Sequence, residues 1–283
     1  MTIQIGNKLN SLSLVLPEGL LVDAAWLERQ GYSRALRHQY VASGWLEQLG
    51  HGIFRRPRGQ LSWQQVVISL QTILKQPLSV GGRTALELSG YAHYLPQTQH
   101  QVHLYSDNKL PAWLLKLPLS ETFVIHNRTR FLPIPTVPAE LFSLDNFVSL
   151  KEALAPAGLI VTSWGHWEWP LAISTPERAY LELLDELPQH ESFHMADMIM
   201  EGLSNLSPRR MQSLLEVTNS IKVKRLFFLF AERHNHAWLK HLDISKIDLG
   251  SGKRMLIKNG KLHTKYLITV PEEFAAESVN GIY

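Results

Sequence analysis

The sequence predicts an α+β protein: an N-terminal winged helix-turn-helix followed by a mixed, largely helical C-terminal domain with small sheets. Three observations predict it. Two short helical patterns meet at Gly31 and lead into a glycine-punctuated, strand-like run carrying three arginines. In the middle of the chain and again near its end, apolar residues fall at strand spacing. From residue 174 onward, runs at helical spacing follow one another with short connections, as in a helical bundle.

The chain opens with Leu9, Leu12, Val15 and Leu16 on one side of a helix that Pro17 interrupts, a first helix expected to pack across the helix pair. The organising stretch is LVDAAWLERQGYSRALRHQYVASGWLEQLGHGIFRRPRG, residues 21–59. Gly31 takes positive φ without strain and so redirects the chain, and Ser33 is placed to cap the second helix. A helix from Arg34 to about Ser43 turns Leu36, Tyr40 and Val41 inward and Arg34, Arg37 and His38 outward, towards a major groove. Gly44 closes that helix, and Trp45, Leu46 and Leu49 are apolar anchors for the wing. Gly50 and Gly52 bracket His51 in a tight turn, and Ile53 and Phe54 lead to Arg55, Arg56 and Arg58, a wing suited to the phosphate backbone until Pro57 limits the strand.

Charge is unevenly placed. Residues 1–60 hold seven Lys or Arg against four Asp or Glu, whereas the remainder holds 21 against 21. The formal excess of +3 therefore lies in the helix-turn-helix region, which favours double-stranded DNA as partner over a purely structural basic hairpin. At 283 residues and 45% hydrophobic, the chain supports one large domain or two ordinary ones. Residues 1–75 are expected to form the DNA-binding domain with a linking helix, and residues 76–283 the C-terminal domain. No apolar run reaches membrane-spanning length, no secretory leader is visible, and with no cysteine there is neither disulfide nor thiolate metal site. A cytoplasmic location is expected.

Further along, Leu61–Leu74 reads as a helix with Ser62 as cap and Trp63, Val66, Val67, Leu70, Ile73 and Leu74 on its apolar face. Gly81 and Gly82 beside Arg83 and Thr84 suggest either an amide cradle for an anion or a loop and helix cap; their spacing is not that of a P-loop, and the cap is preferred. Alternation of Gln101, His103 and Tyr105 with Val102 and Leu104 predicts a half-buried strand, and Phe123 to Ile125 another, followed by the polar His126, Asn127, Arg128 and Arg130 and prolines at 133, 135 and 138. The run TSWGHWEWP, residues 162–170, offers a stacking surface or a core staple, with the staple preferred.

Ser174 is read as the cap of TPERAYLELLDELP, with Pro176 near its start and Ala179, Tyr180, Leu183, Leu184 and Leu187 as packing face. Helices are expected around Phe193, around Met211 and around Leu226. Near the end, Met255 to Ile257 and Leu267 to Val270 are read as a hairpin about Asn259-Gly260, with Lys253, Arg254, Lys258, Lys261 and Lys265 as a local basic surface. The clusters His190/His194 and Glu232/His236/His241 form no familiar ligand set, and no compact nucleophile, base and oxyanion arrangement is visible. No metal, no cofactor and no catalytic residue is expected.

In this order, LVDAAWLERQGYSRALRHQYVASGWLEQLGHGIFRRP, LSVGGRTALELSGYAHYL, STPERAYLELLDELP and LGSGKRMLIKNGKLHTKYLITVP resemble the AbiEi family of type IV antitoxins over nearly the full chain. The resemblance implies a winged helix that represses its own toxin-antitoxin operon, a C-terminal domain that counters a nucleotidyltransferase-like toxin, and antagonism that does not require a stable complex with it. It places Ser33, Arg34, Arg37 and His38 at the start of the recognition helix and Arg55, Arg56 and Arg58 on the basic wing. The implied partner is double-stranded operator DNA carrying inverted repeats. Two other classes stand beside this one: a winged-helix regulator whose C-terminal domain senses a ligand, and a nucleic-acid-processing enzyme targeted by its N-terminal module.

Overall fold

The computed structural model describes residues 2–91, 101–127, 132 and 137–275. Arg128, Arg130, Pro133 and Pro135 lie outside these residues, as does the end of the central block resembling the family. The N-terminal elements are α1 (Thr2–Val15), β1 (Leu21–Asp23), α2 (Ala24–Arg29), α3 (Arg34–Ala42), β2 (Glu47–Gly50) and β3 (Ile53–Arg55). Their strands form an antiparallel sheet in the order β1-β3-β2. Asp23 ends β1 and at once caps α2, its carboxylate accepting the Trp26 amide at 2.7 Å. Gly31 has φ +83°, and Ser33 caps α3 through the Leu36 amide at 3.3 Å. Leu12 and Leu16 of the first helical pattern are buried, but Val15 faces solvent.

A capping box between Ser62 and Gln65 starts α4 (Trp63–Ile68), which continues as a wider π turn to Ile73. There Ser69 accepts the Leu21 amide of β1 at 2.9 Å, fastening the winged helix to the linking helix. The chain then runs through β4 (Leu78–Val80), α5 (Gly82–Leu88), β5 (Gln101–Ser106), β6 (Thr122–Asn127), α6 (Phe147–Leu154), β7 (Leu159–Trp164) and β8 (Trp169–Ser174). The five strands form one mixed sheet in the order β6-β5-β4-β8-β7, parallel at β5/β6 and β4/β8 and antiparallel elsewhere. Where β4 and β8 pair only briefly, the buried Gln71 amide completes the ladder, donating to the Leu78 and Ala172 carbonyls and accepting from the Ala172 amide.

The sheet has two unlike faces. One carries Leu78, Val80, Val102, Leu104, Phe123, Leu171 and Ile173 into a core shared with Leu16, Leu21, Leu27, Val66 and Leu70 of the winged helix and linking helix. The opposite face carries His103, Tyr105, His126 and Ser174 towards α5 and α7 (Pro176–Asp185). The β5 strand is consequently buried on both faces, not half-buried. Its polar side is matched by Arg178, Glu182 and Glu186, one turn apart along α7. The other side of α7 presents Ala179, Tyr180, Leu183, Leu184 and Leu187 to α8 (Phe193–Gly202), α9 (Pro208–Val217) and α10 (Ile221–His234) in the second large core.

Two sequence expectations are corrected in this half. Thr175, not Ser174, caps α7, because Ser174 still belongs to β8 and donates its hydroxyl to Glu182 at 2.8 Å. The terminal strands are β9 (Arg254–Met255), β10 (Lys261–His263) and β11 (Ile268–Val270), followed by α11 (Glu272–Ala275). The antiparallel partner of β11 is β10, whereas β9 lies parallel to it, so the turn at Asn259 precedes the hairpin. Arg225 of α10 holds this small sheet by donating to the carbonyls of Leu249, Gly252 and Leu267. Among the described residues, no helix is long and apolar enough to cross a membrane.

Glu182 joins the layers. Its carboxylate accepts from Arg178 Nε at 2.8 Å, from Ser174 and from the Gly82 amide at 2.9 Å, and both acidic and basic partners are fully buried. Removing one side of such a pair strands the other charge and costs about 3–5 kcal/mol. Glu182→Ala is therefore expected to lower the urea midpoint by that order of stability or to prevent folding. A Glu182→Ala protein as stable as the parent in urea denaturation would contradict the assignment.

Candidate nucleic-acid interface

The exposed side of α3 carries Arg34, Ala35, His38, Gln39 and Ala42. Beside it, the β2–β3 turn projects Gln48 and His51, and a groove of about 500 Å³ lies between helix and wing. Arg34, His38, Gln48 and His51 line this groove, with Ala24, Arg37, Val41 and Phe54 among the residues at its base. Two basic or imidazole groups from the helix thus face an amide and an imidazole from the wing. All can bond phosphate oxygens or base edges. Gly52, with φ +73°, lets the wing turn tightly enough to bring His51 to that edge.

The structure separates the arginines that the sequence grouped. Arg34 and His38 are exposed as expected, and Ser33 caps the helix. Arg37 is 8% exposed and points inward, where its guanidinium donates to the Tyr32 carbonyl at 2.7 Å and reaches the Ala24 carbonyl. The i, i+3 step from Arg34 carries it round to the flank of α3 packed on α2, so its length serves to fill that crevice. Arg55 is also buried, bonded to Glu47 at 2.5 Å and to the Gly59 carbonyl. Arg56 clasps the end of α1 through the Leu16 carbonyl and pairs with Glu18. Arg58 shares Glu18 and lies 5.4 Å over the Trp167 ring, beyond the end of β3 away from the wing turn.

Gln39, exposed on the same helix face, and Gln48 and His51, which line the groove, are not among the candidate contacts named from the sequence. The available signals were the position of Gln39 one residue beyond His38 on the outer helix face and the glycines bracketing His51.

The glycine pair at 81–82 does present an amide to an anion, and the anion is the protein's own Glu182. A side chain at Gly81 would collide with Glu182 Oε2 at 2.2 Å and with the Tyr105 ring at 2.6 Å. The preferred loop-and-cap reading holds, without a side-chain cap, for Gly81 precedes α5.

Nearby, Glu186 meets His126 Nδ1 at 2.9 Å, and His126 Nε2 meets His103 Nδ1 at 2.9 Å. Burial, reinforced by the neighbouring His126 and Arg83, pushes the His103 imidazole down to about 4. Burial, the largest single influence, lifts the Glu186 carboxyl, but the hydrogen bond to His126 and the charge interactions with His126, His190 and His103 together leave it below the usual value. Glu191 is raised by burial despite its bond to Arg83. Among the described residues, no group of three or more His, Cys, Asp or Glu is arranged to hold a metal.

A helix, a short strand, two helices and a two-stranded wing in this order define the winged helix-turn-helix class of regulators, fused to a mixed-sheet domain. The chain belongs to the AbiEi family. Residues 6–97 match the transcriptional regulator AbiEi antitoxin N-terminal domain, and residues 99–271 match the transcriptional regulator, AbiEi antitoxin of type IV toxin-antitoxin systems. No curated protein matches the chain. Among solved structures, the RV2827C protein from Mycobacterium tuberculosis shares the fold with TM-score 0.53 at 15% identity, over 92% of this chain and 88% of that one.

The buried imidazole gives a testable pH dependence. With its folded pKa below the ordinary 6.5, His103 takes up a proton more readily in the unfolded chain. Its contribution is intact above pH 6.5 and is lost as pH falls towards 4, by about 3 kcal/mol at the limit. Glu191 acts in the opposite sense above pH 4.5, so a comparison with His103→Asn isolates the imidazole. Urea midpoints measured between pH 4.5 and 6.5 should fall more steeply for the parent than for the variant; parallel curves would refute the neutral, buried His103.

Proposed function

We propose that this protein is a DNA-binding autorepressor and antitoxin of a type IV system, acting without substrate turnover. In this reading α3 enters the major groove of operator DNA and the wing follows the adjacent backbone. The observation that carries it is the groove between helix and wing, where Arg34, His38, Gln48 and His51 converge from two elements. Arg34 and His38 take phosphates or guanine edges, Ala35 and Gln39 lie where a thymine methyl or an adenine edge would be read, and His51 positions the wing. Arg55 and Arg56 shape the domain, and Arg37, nearly buried at the base of the groove, acts mainly through its bonds to the Tyr32 and Ala24 carbonyls. Residues 1–75 supply this module and residues 76–283 the antitoxin function, directed against a nucleotidyltransferase-like toxin with or without direct contact. Family membership supports the regulator and antitoxin roles.

A gel-shift titration against the protein's own upstream region, with shuffled DNA as competitor and salt varied, tests the repressor half. Arg34→Ala with His38→Ala should fold normally yet weaken binding, reducing the salt slope by about one for each phosphate no longer neutralised. Arg37→Ala should instead lower the melting temperature, since it leaves buried carbonyls unpaired. Unchanged affinity and salt slope in the folded double variant would overturn the interface. Inverted-repeat operator sites would be recognised in the same titration by two successive shifted species.

A further inference from the structure

The run TSWGHWEWP is neither wholly core nor wholly surface. It forms the end of β7, a turn and the start of β8, with Trp164 and Trp169 opposite each other in register and their rings stacked at 6.2 Å. Trp169 is buried, whereas Trp167 at the turn is 57% exposed. The Arg58 guanidinium lies over the Trp167 ring, and its side chain is 47% exposed. Between these groups lies a cavity of about 200 Å³, lined by Arg58, Gln65, Trp164, His166, Trp167 and Trp169. Gln65, one of the lining residues, accepts the Ser62 amide through its Oε1, and its Nε2 lies beside Gly19.

We propose that this cavity binds an unstacked nucleobase of single-stranded nucleic acid. Its volume falls below the roughly 300–1,000 Å³ of sites for drug-sized ligands, so it takes one ring system and not several. Three of the residues that line it are tryptophans, whose indole faces stack on any base. Its polar groups are the Arg58 guanidinium, which shares its charge with Glu18, the Gln65 amide and the His166 imidazole, and their donors match the carbonyl and ring-nitrogen acceptors of a base edge and the neighbouring phosphate. The same guanidinium disfavours a cationic guest such as a methylated lysine, because it already covers one indole face with positive charge. No residue is shared with the groove between α3 and the wing. The chain leaves the wing turn along β3 before reaching Arg58, so this site stands at the other end of that sheet. A flexible single strand reaches a recessed pocket of this kind; a stacked, paired base does not.

Calorimetric titration of the full-length protein with ten-nucleotide single-stranded RNA and DNA, the four nucleoside monophosphates, a blunt duplex of unrelated sequence and a trimethyllysine peptide tests the inference. Saturable binding of a single strand, weakened roughly 5- to 100-fold by Trp167→Ala and also reduced by Arg58→Gln, is the expected result. Trp167 is exposed at a turn, so the variant should retain the parent's circular dichroism and its operator gel shift. Binding of monophosphates as tightly as the oligonucleotides would show a free-nucleotide site and overturn the single-strand assignment. Absence of binding, binding indifferent to Trp167→Ala, or preference for the duplex or the peptide would also overturn it. Loss of operator binding in the Arg34 and His38 variant with single-strand binding intact would separate the two sites.

Discussion

The Arg178–Glu182 pair sets the architecture of the larger domain. Arg178 bonds the Ala157 and Leu132 carbonyls as well as Glu182, and Glu182 reaches Ser174 of β8 and the Gly82 amide of α5. Four separate stretches of chain are thus fixed to one helical turn. Buried ion pairs often contribute little net stability compared with well-packed apolar groups, because desolvation offsets the attraction. Their effect is geometric: a helix that slid by one residue along the sheet would carry the pair with it but lose its bonds to Ser174, the Gly82 amide and the Ala157 and Leu132 carbonyls, leaving these groups unpaired in a low-dielectric interior. The collision that any side chain at Gly81 would make with Glu182 expresses the same constraint from the other side.

This constraint divides the sheet by chemistry. The face towards α7 is polar because it must meet Arg178, Glu182 and Glu186, and the face towards the linking helix is apolar because nothing charged lies there. The apolar face continues without interruption into the core of the winged helix. Ser69 and Gln71, within one turn of each other, bond the winged helix and the central sheet respectively. The α3 helix is therefore presented by a fixed scaffold and not on a flexible tether, so its approach to a duplex is governed by the whole molecule.

Elements announced by local chemistry were legible in the sequence: the turn at Gly31, the caps at Ser33 and Ser62, the apolar stripes of α7 to α10. Elements made by distant pairing were not. β1 has only three residues and exists because β3 returns beside it, and the β7–β8 hairpin is hidden by the tryptophans and Pro170 in its sequence. The charged residues 178, 182 and 186 fall one turn apart opposite the apolar stripe of α7, and a charged stripe is usually solvated, so nothing local marks them as interior. Only the burial of the opposite sheet face turns it into an interior layer.

The arginines carry the same lesson into function. Charge counting places an excess of +3 in the first 60 residues, but Arg37, Arg55 and Arg56 satisfy carbonyls and carboxylates of the protein itself. A guanidinium has five donors on a long apolar stem, so a crevice between short elements is as good a place for it as a phosphate. Arg37, bonded only to neutral carbonyls, keeps its charge as part of the long-range field, whereas Arg55 and Arg56 are offset locally by Glu47 and Glu18. The polar side chains left exposed at the mouth of the groove between α3 and the wing are Arg34, His38, Gln48 and His51, so a count of basic residues says little about which of them can be reached there.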